Sequence, residues 1–185
     1  MHPSRRFRDH LLVRRVVAAI LLLASLSGCT WVRHGGRQPF SDPDWALKET
    51  RRLAADELWK EHDGGDQVYI QRGCVSERLS DYRHRRRPWT IRCSLFDQSK
   101  PAGARSLFAY YHNAIENEIK GIQPIGDETY VWKSPDMRSW IVGFCRGKYF
   151  VEISLAEEGD PNVPMSDQAR AALLDFARRL AIALP

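Results

Sequence analysis

The stretch VSERLSDYRHRRRPWTIRCSLF, residues 75–96, decides the fold of this chain. Apolar and polar residues alternate along 89–96, which is the period-two pattern of a strand with one buried face. The apolar positions of that pattern are Ile91, Cys93 and Leu95. Residues 75–82 form a second extended segment, and the polar run 83–88 separates the two. The stretch therefore predicts an antiparallel hairpin with a basic tip.

The sequence on either side of this hairpin predicts three helices and four more strands. Ser41 or Asp42 can cap a helix over 43–61 that opens with a proline, where the missing N–H costs nothing. Apolar residues at helical spacing predict a second helix over 101–120, and Ser166 caps a final helix. Further strands are predicted over 67–72, 129–133, 139–145 and 149–155, the last two as a hairpin.

These elements indicate the fold class. Neighbouring strands joined by short turns favour an antiparallel sheet, and amphipathic helices need a sheet face on which to bury their apolar stripes. We therefore expect an α+β fold, a mostly antiparallel sheet packed by amphipathic helices. A chain of 185 residues suits one core better than two, so residues 42–185 are expected to form a single domain.

The N-terminus has the organisation of a bacterial targeting segment. Five arginines precede an apolar run at 16–26, which is shorter than the roughly 20 residues that a membrane-spanning helix needs. The run ends in Leu26-Ser27-Gly28-Cys29, which resembles the lipobox of bacterial lipoproteins. The resemblance implies that residues 1–28 are a removed signal peptide, that the Cys29 thiol carries diacylglycerol, and that its freed amine carries an acyl chain such as palmitate. A secretory signal with a chance cysteine and a retained signal anchor are the alternatives.

The same resemblance implies a location. Lipid on Cys29 would bind the chain to a membrane of the cell envelope. Thr30 stands where an aspartate would favour the inner membrane, so the outer membrane facing the periplasm is expected. Residues 29–41 are then the lipidated N-terminus and a tether, which reaches at most roughly 40 Å when extended. The domain is expected to work close to the membrane surface.

The charge of the chain lies mostly in its first 28 residues. They contain five arginines and one aspartate, which account for four of the five formal positive charges. A basic isoelectric point invites a nucleic-acid interpretation, but the proposed mature chain is left near +1. We therefore expect no nucleic-acid partner.

A second resemblance covers residues 45–184. The motifs that carry it are Asp63-Gly64-Gly65 before Tyr69, Gly103-Ala104 before Phe108, Ile125-Gly126-Asp127-Glu128-Thr129-Tyr130 and Gly147-Lys148-Tyr149. In this order and spacing they resemble a family of uncharacterised exported bacterial proteins, although Asp66 replaces the alanine usual after the glycine pair. The resemblance implies export and a shared fold, and it implies no catalytic residue.

The densest polar cluster is the turn at 62–66. His62, Asp63 and Asp66 place an imidazole and carboxylates close together, which is the chemistry of a divalent metal site or of an acid and base. A capped helix end that turns into a strand is the alternative. No zinc-protease, paired-cysteine or nucleophile-elbow pattern accompanies the cluster, so we predict no catalytic residue, no metal and no cofactor.

Three cysteines remain beside Cys29. Cys74 and Cys93 flank the basic hairpin, and in an oxidising envelope they are candidates for a disulfide across the two strands. A set of buried, unpaired thiols that includes Cys145 is the alternative.

The hairpin tip carries four arginines, Arg83, Arg85, Arg86 and Arg87. Such a run is either a solvated turn or a contact with an anionic surface, which in the envelope means lipid headgroups, a polysaccharide or an acidic protein.

Two hypotheses for function follow. The first is a membrane-anchored lipoprotein of the bacterial envelope whose domain is a non-enzymatic binding or accessory module. The second is a metal-dependent envelope hydrolase that uses the turn at 62–66.

Overall fold

A computed structural model describes residues 40–134, 138–158 and 165–185. The predicted signal peptide, the lipobox with Cys29 and most of the predicted tether lie outside the described residues. Among the described helices, none combines the length and the apolar character that crossing a membrane requires.

The described residues form one six-stranded antiparallel sheet with four helices. The strands stand in the order β1-β2-β3-β6-β5-β4. They are β1 (Trp45–Ala54), β2 (Ser76–His84), β3 (Trp89–Asp97), β4 (Glu128–Ser134), β5 (Ser139–Arg146) and β6 (Tyr149–Glu157). The helices are α1 (Trp59–His62), α2 (Gln67–Ile70), α3 (Pro101–His112) and α4 (Asp167–Ala183), and a 3-10 turn covers Ala55–Glu57.

The predicted fold class and both predicted hairpins are confirmed. β2 and β3 pair antiparallel around residues 85–88, and β5 and β6 pair antiparallel around Gly147. Ser166 caps α4, since its side chain accepts a hydrogen bond from the Ala169 N–H. The fold is α+β with an antiparallel sheet.

The helix predicted over 43–61 was wrong. Its first part is β1, the edge strand, which pairs with β2 from Trp45↔His84 to Ala54↔Ser76. Only Trp45 and Leu53 of this strand are buried, so the apolar spacing that suggested a helix was not the pattern of a buried face. Pairing with β2 outweighs the weak local preference.

Two more elements differ from the predictions, one in type and one in length. Residues 67–70 form α2 instead of the predicted strand over 67–72, and α3 ends at His112 instead of 120. After α3 the chain runs along the outer edge of β4, where Glu118 forms a bridge with Trp132 and Ile119 N–H donates to the Val131 carbonyl. This edge pairing competes with continuation of the helix.

Apolar side chains pack on both faces of the sheet. Neighbouring residues of a strand point to opposite faces, and Phe150 belongs to one core cluster while Val151 belongs to the other. Helix α4 covers the face of Val151, where Leu173, Phe176 and other apolar residues of the helix are buried. Helix α3 covers part of the face of Phe150, together with Leu58 and residues of α2.

Candidate functional site

The basic tip, residues 83–87, is fastened to the residues that precede β1. Arg85 donates its backbone N–H to the Asp44 carbonyl at 2.9 Å and its Nε–H to the Pro43 carbonyl at 3.0 Å. All four arginines of the tip are exposed. The structure therefore brings the predicted basic residues together at one end of the sheet.

His84 organises the turn within the tip. Its Nδ1 accepts the backbone N–H groups of Arg86 and Arg87, each at 3.1 Å. The ring lies edge-on between Trp45 and Trp89, with centroids 4.9 and 5.1 Å away. Burial is the main cause that lowers the pKa of His84. The neutral ring is thus favoured, and only the neutral ring has an acceptor at Nδ1.

The arginines of the tip differ in how far their charge is compensated. Arg83 pairs with Glu158 at 3.2 Å, an exposed contact of little energy. Arg87 lies 5.8 Å from the centroid of the Trp89 ring, and Arg85 is held by a neutral carbonyl. Within the described ranges, no carboxylate pairs with the guanidinium of Arg85, Arg86 or Arg87. Three positive charges therefore face outward.

The leading segment, residues 40–44, is itself docked on the fold. Phe40 packs edge-on against Phe176 of α4 at 5.3 Å, and the Tyr82 hydroxyl donates to the Phe40 carbonyl at 3.1 Å. Arg179 of α4 forms ion pairs with Asp42 at 3.0 Å and with Asp44 at 3.3 Å. The Asp42 side chain is fully buried. The chain thus begins its fold at a fixed point beside the basic tip.

The turn at 62–66 does not bring the candidate residues His62, Asp63 and Asp66 together as a metal or acid–base cluster. Asp63 is an exposed helix cap in the left-handed conformation, with φ of 42°. The amide Nε2 of Gln67 donates to Asp66 at 3.4 Å, and His62 points elsewhere. Across the described residues, no group of three or more His, Cys, Asp or Glu side chains is placed to hold a metal ion. The turn is a helix end, as the alternative interpretation had it, but it leads into α2 and not into a strand.

His62 instead joins a polar network under α3 that the sequence did not indicate. Its Nε2 lies 2.8 Å from Oε2 of the fully buried Glu77, and its Nδ1 lies 3.3 Å from the Tyr69 hydroxyl. The Tyr69 hydroxyl also hydrogen-bonds to that of Tyr111. Burial, and next the bond to Tyr111, raise the pKa of Tyr69. Both ring nitrogens of His62 are occupied, so the network holds the ring instead of offering it to a substrate.

A second pair, the buried Tyr130 and the half-buried Glu152, crosses three strands beside this network. Tyr130 of β4 lies opposite Gly143 of β5, which lies opposite Glu152 of β6. The Tyr130 hydroxyl reaches across the glycine and donates to Glu152 Oε2 at 2.8 Å. A Cβ on Gly143 would stand 2.0 Å from the Tyr130 ring. Burial raises the pKa of Glu152, although the Tyr130 hydroxyl and His62 oppose that shift.

Sequence reasoning missed both groups for different reasons. Glu77 lies two residues from the buried Leu79 on β2 and therefore on the same face of the strand. A carboxylate on an apolar face could have indicated a buried polar group. Glu152 alternates with Val151 and Ile153, which is the pattern of an exposed position. Nothing in the sequence indicates that Tyr130 covers it.

The predicted disulfide between Cys74 and Cys93 is not formed. Cys93 lies opposite Ser80, six positions along the strand direction from Cys74, which corresponds to about 20 Å at roughly 3.3 Å per residue. A disulfide needs Cα atoms within about 7 Å. The thiols of Cys74, Cys93 and Cys145 are free and buried, and burial raises the pKa of each to about 12.

The chain was also compared with known proteins. No protein-family model, no curated protein and no solved structure matches it.

Proposed function

We propose that this chain is a lipid-anchored protein of the bacterial envelope whose α+β domain is a non-enzymatic binding or accessory module. Lipid on Cys29 holds it, and the outer membrane facing the periplasm is its proposed location. The sequence Leu26-Ser27-Gly28-Cys29 supports the anchor.

The observation that carries the proposal is the docking of the leading segment beside the basic tip. Cys29 precedes Phe40 by eleven residues, a distance of at most about 36 Å at roughly 3.3 Å per residue. A flexible chain of that length averages about 18 Å. The contacts that fix the Phe40 and Asp42 side chains against α4 support attachment of the domain by the end that carries the basic tip. The domain is therefore positioned to work at the membrane surface.

A binding role is favoured over the metal-dependent hydrolase by the geometry of the turn at 62–66. The hydrolase needed His62, Asp63 and Asp66 to converge on one site. His62 is engaged by Glu77 and Tyr69, while Asp63 is exposed. His62, Asp63 and Asp66 therefore do not form the shared site that the hydrolase hypothesis requires.

The proposal is tested by fractionating cells that carry the full chain with one of two substitutions in the lipobox. Cys29→Ala removes the lipid-accepting thiol, whereas Gly28→Ala keeps a residue that lipoboxes accept and serves as the matched control. We expect the parent and Gly28→Ala chains to stay with membranes through a high-salt wash, because two or three acyl chains give lasting attachment. We expect Cys29→Ala to be lost from the washed membranes. Equal retention of both variants would contradict the anchor.

A further inference from the structure

We propose that the basic tip lies against the anionic lipid headgroups of the membrane in which the chain is anchored. This inference rests on the proposed function, because the anchor brings the tip to that membrane. The proposed contact makes the anionic headgroups the partner of the domain and turns the tip end of the domain toward the membrane.

The first argument is the position of the tip relative to the tether. Arg85 is hydrogen-bonded to Pro43 and Asp44, so the tip lies beside the point where the tether meets the fold. Strand β2 has nine residues and is therefore roughly 30 Å long at about 3.3 Å per residue. The opposite end of the sheet is farther from the tether by about that length. The tip is the charged surface that the anchor places nearest to the headgroups.

The second argument is the charge that the tip presents. Arg85, Arg86 and Arg87 are exposed, and no carboxylate of the described residues forms an ion pair with them, although the charge of Arg87 also acts on Glu157 in the neighbouring strand. His84 accepts two backbone N–H groups and so keeps Arg86 and Arg87 on one turn. Attraction to an anionic surface fades over a Debye length of about 8 Å in physiological salt. The eleven residues from Cys29 to Phe40 span at most about 36 Å at roughly 3.3 Å per residue, so the proposed anchor keeps the tip within reach of that zone.

Lipid headgroups fit this surface better than a separate acidic partner. A tethered tip meets the headgroups of its own membrane at high local concentration, without a second diffusional encounter. Each arginine near an anionic surface favours contact about fivefold. Arg86 and Arg87 together therefore shift the equilibrium between a tip on the membrane and a tip in solution by about 30-fold.

The experiment uses the lipid-bearing protein in vesicles of phosphatidylcholine alone or with phosphatidylglycerol. A fluorophore is placed at Pro88→Cys beside the tip or at Ile182→Cys, an 83% exposed position that shares a pocket with Arg146, at the end of β5 away from the tip. Energy transfer to labelled headgroups gives the distance of each end from the bilayer. We expect the Pro88 label to lie closer to the bilayer in anionic than in neutral vesicles, while the Ile182 label moves little, and about 1 M salt should abolish this effect of lipid charge on the Pro88 label.

Two charge variants make the test specific. Arg86→Gln with Arg87→Gln should shift the equilibrium on anionic vesicles away from the membrane by about 30-fold, and the Pro88 label should move toward the distance seen on neutral vesicles. The matched control, Arg146→Gln with Arg178→Gln, removes two charges from residues that share a pocket with Ile182 and should change nothing.

Each other outcome has a distinct meaning. Equal tip distances on neutral and anionic vesicles would overturn the proposal and leave the tip to an acidic protein or polymer. An equal effect of the two charge variants would overturn it as well, because the attraction would then be nonspecific. Protein that floats with neither kind of vesicle carries no lipid, and this result would contradict the proposed anchor and not the charge of the tip.

Discussion

Replacing Gly143 by alanine should destabilise the fold, although the change adds a single methyl group. The new Cβ would lie 2.0 Å from the ring of Tyr130, which is 1% exposed and packs against Phe108 and His112. The ring cannot keep its place. Overpacking costs about 1–3 kcal/mol, and losing the bond from Tyr130 to Glu152 costs about 1–3 kcal/mol more.

The expected loss of about 2–6 kcal/mol is a large share of a typical unfolding free energy of about 5–15 kcal/mol. Urea unfolding of the protein, followed by tryptophan fluorescence, measures it. With a slope of about 2 kcal/mol/M, the midpoint should fall by about 1–3 M.

Repeating the substitution in a Tyr130→Leu chain distinguishes a clash with Tyr130 from a general effect of replacing Gly143. Tyr130→Leu has a side chain too short to cross the glycine, so alanine at 143 should then be neutral or stabilise the strand by about 0.5–1 kcal/mol. The coupling energy should exceed the roughly 0.5 kcal/mol that independent sites show. If Gly143→Ala costs the same in both backgrounds, the cross-strand arrangement of Tyr130 is refuted.

Three further predictions concern charge and thiols. Burial raises the pKa of Glu152 in the folded state, so the contribution of this carboxyl to stability is present below its unfolded pKa of about 4.3 and is lost as the pH rises through its folded-state pKa. Glu152→Gln should therefore gain stability relative to the parent as the pH rises, which urea unfolding at several pH values measures. Arg179→Met should lower the unfolding free energy by about 1–3 kcal/mol in the same assay, because it leaves the buried carboxylate of Asp42 without its ion-pair partner; the 31% exposure of Arg179 keeps the loss moderate. The matched control at the exposed neighbour, Arg178→Met, should change the unfolding free energy by no more than about 0.5 kcal/mol. In the Cys29→Ala chain, a thiol reagent should react only after denaturant is added, since the three thiols of the described residues, Cys74, Cys93 and Cys145, are buried and burial raises the pKa of each to about 12. Fast reaction of this variant without denaturant would contradict their burial.

The sequence predicted the inner strands because their alternation survives in the fold. Ile91 and Cys93 of β3 are buried, while Arg92 between them is exposed. It failed at the edge strand β1, where eight of ten residues are not buried and periodicity carries little information. Residues 45–54 form a strand because they pair with β2, whose residues lie 22 to 39 positions away in the sequence.

The candidate site was predictable in part for the same reason. The arginine run at 83–87 and its hairpin are local features, and both were found. Its position beside the leading segment depends on Trp45 pairing with His84, which a helix at 43–61 would not produce. The network of His62, Glu77 and Tyr69 depends on how α1 and α2 pack on the sheet, and no local pattern encodes that packing.

The most direct test of the proposed anchor is the intact mass of the protein extracted from its native membrane. The account predicts residues 29–185 plus a diacylglycerol and an acyl chain, and it predicts that Cys29→Ala abolishes this mass. A mass that retains residues 1–28, or a lipid-free product, would contradict the anchor and with it the membrane-facing orientation of the basic tip.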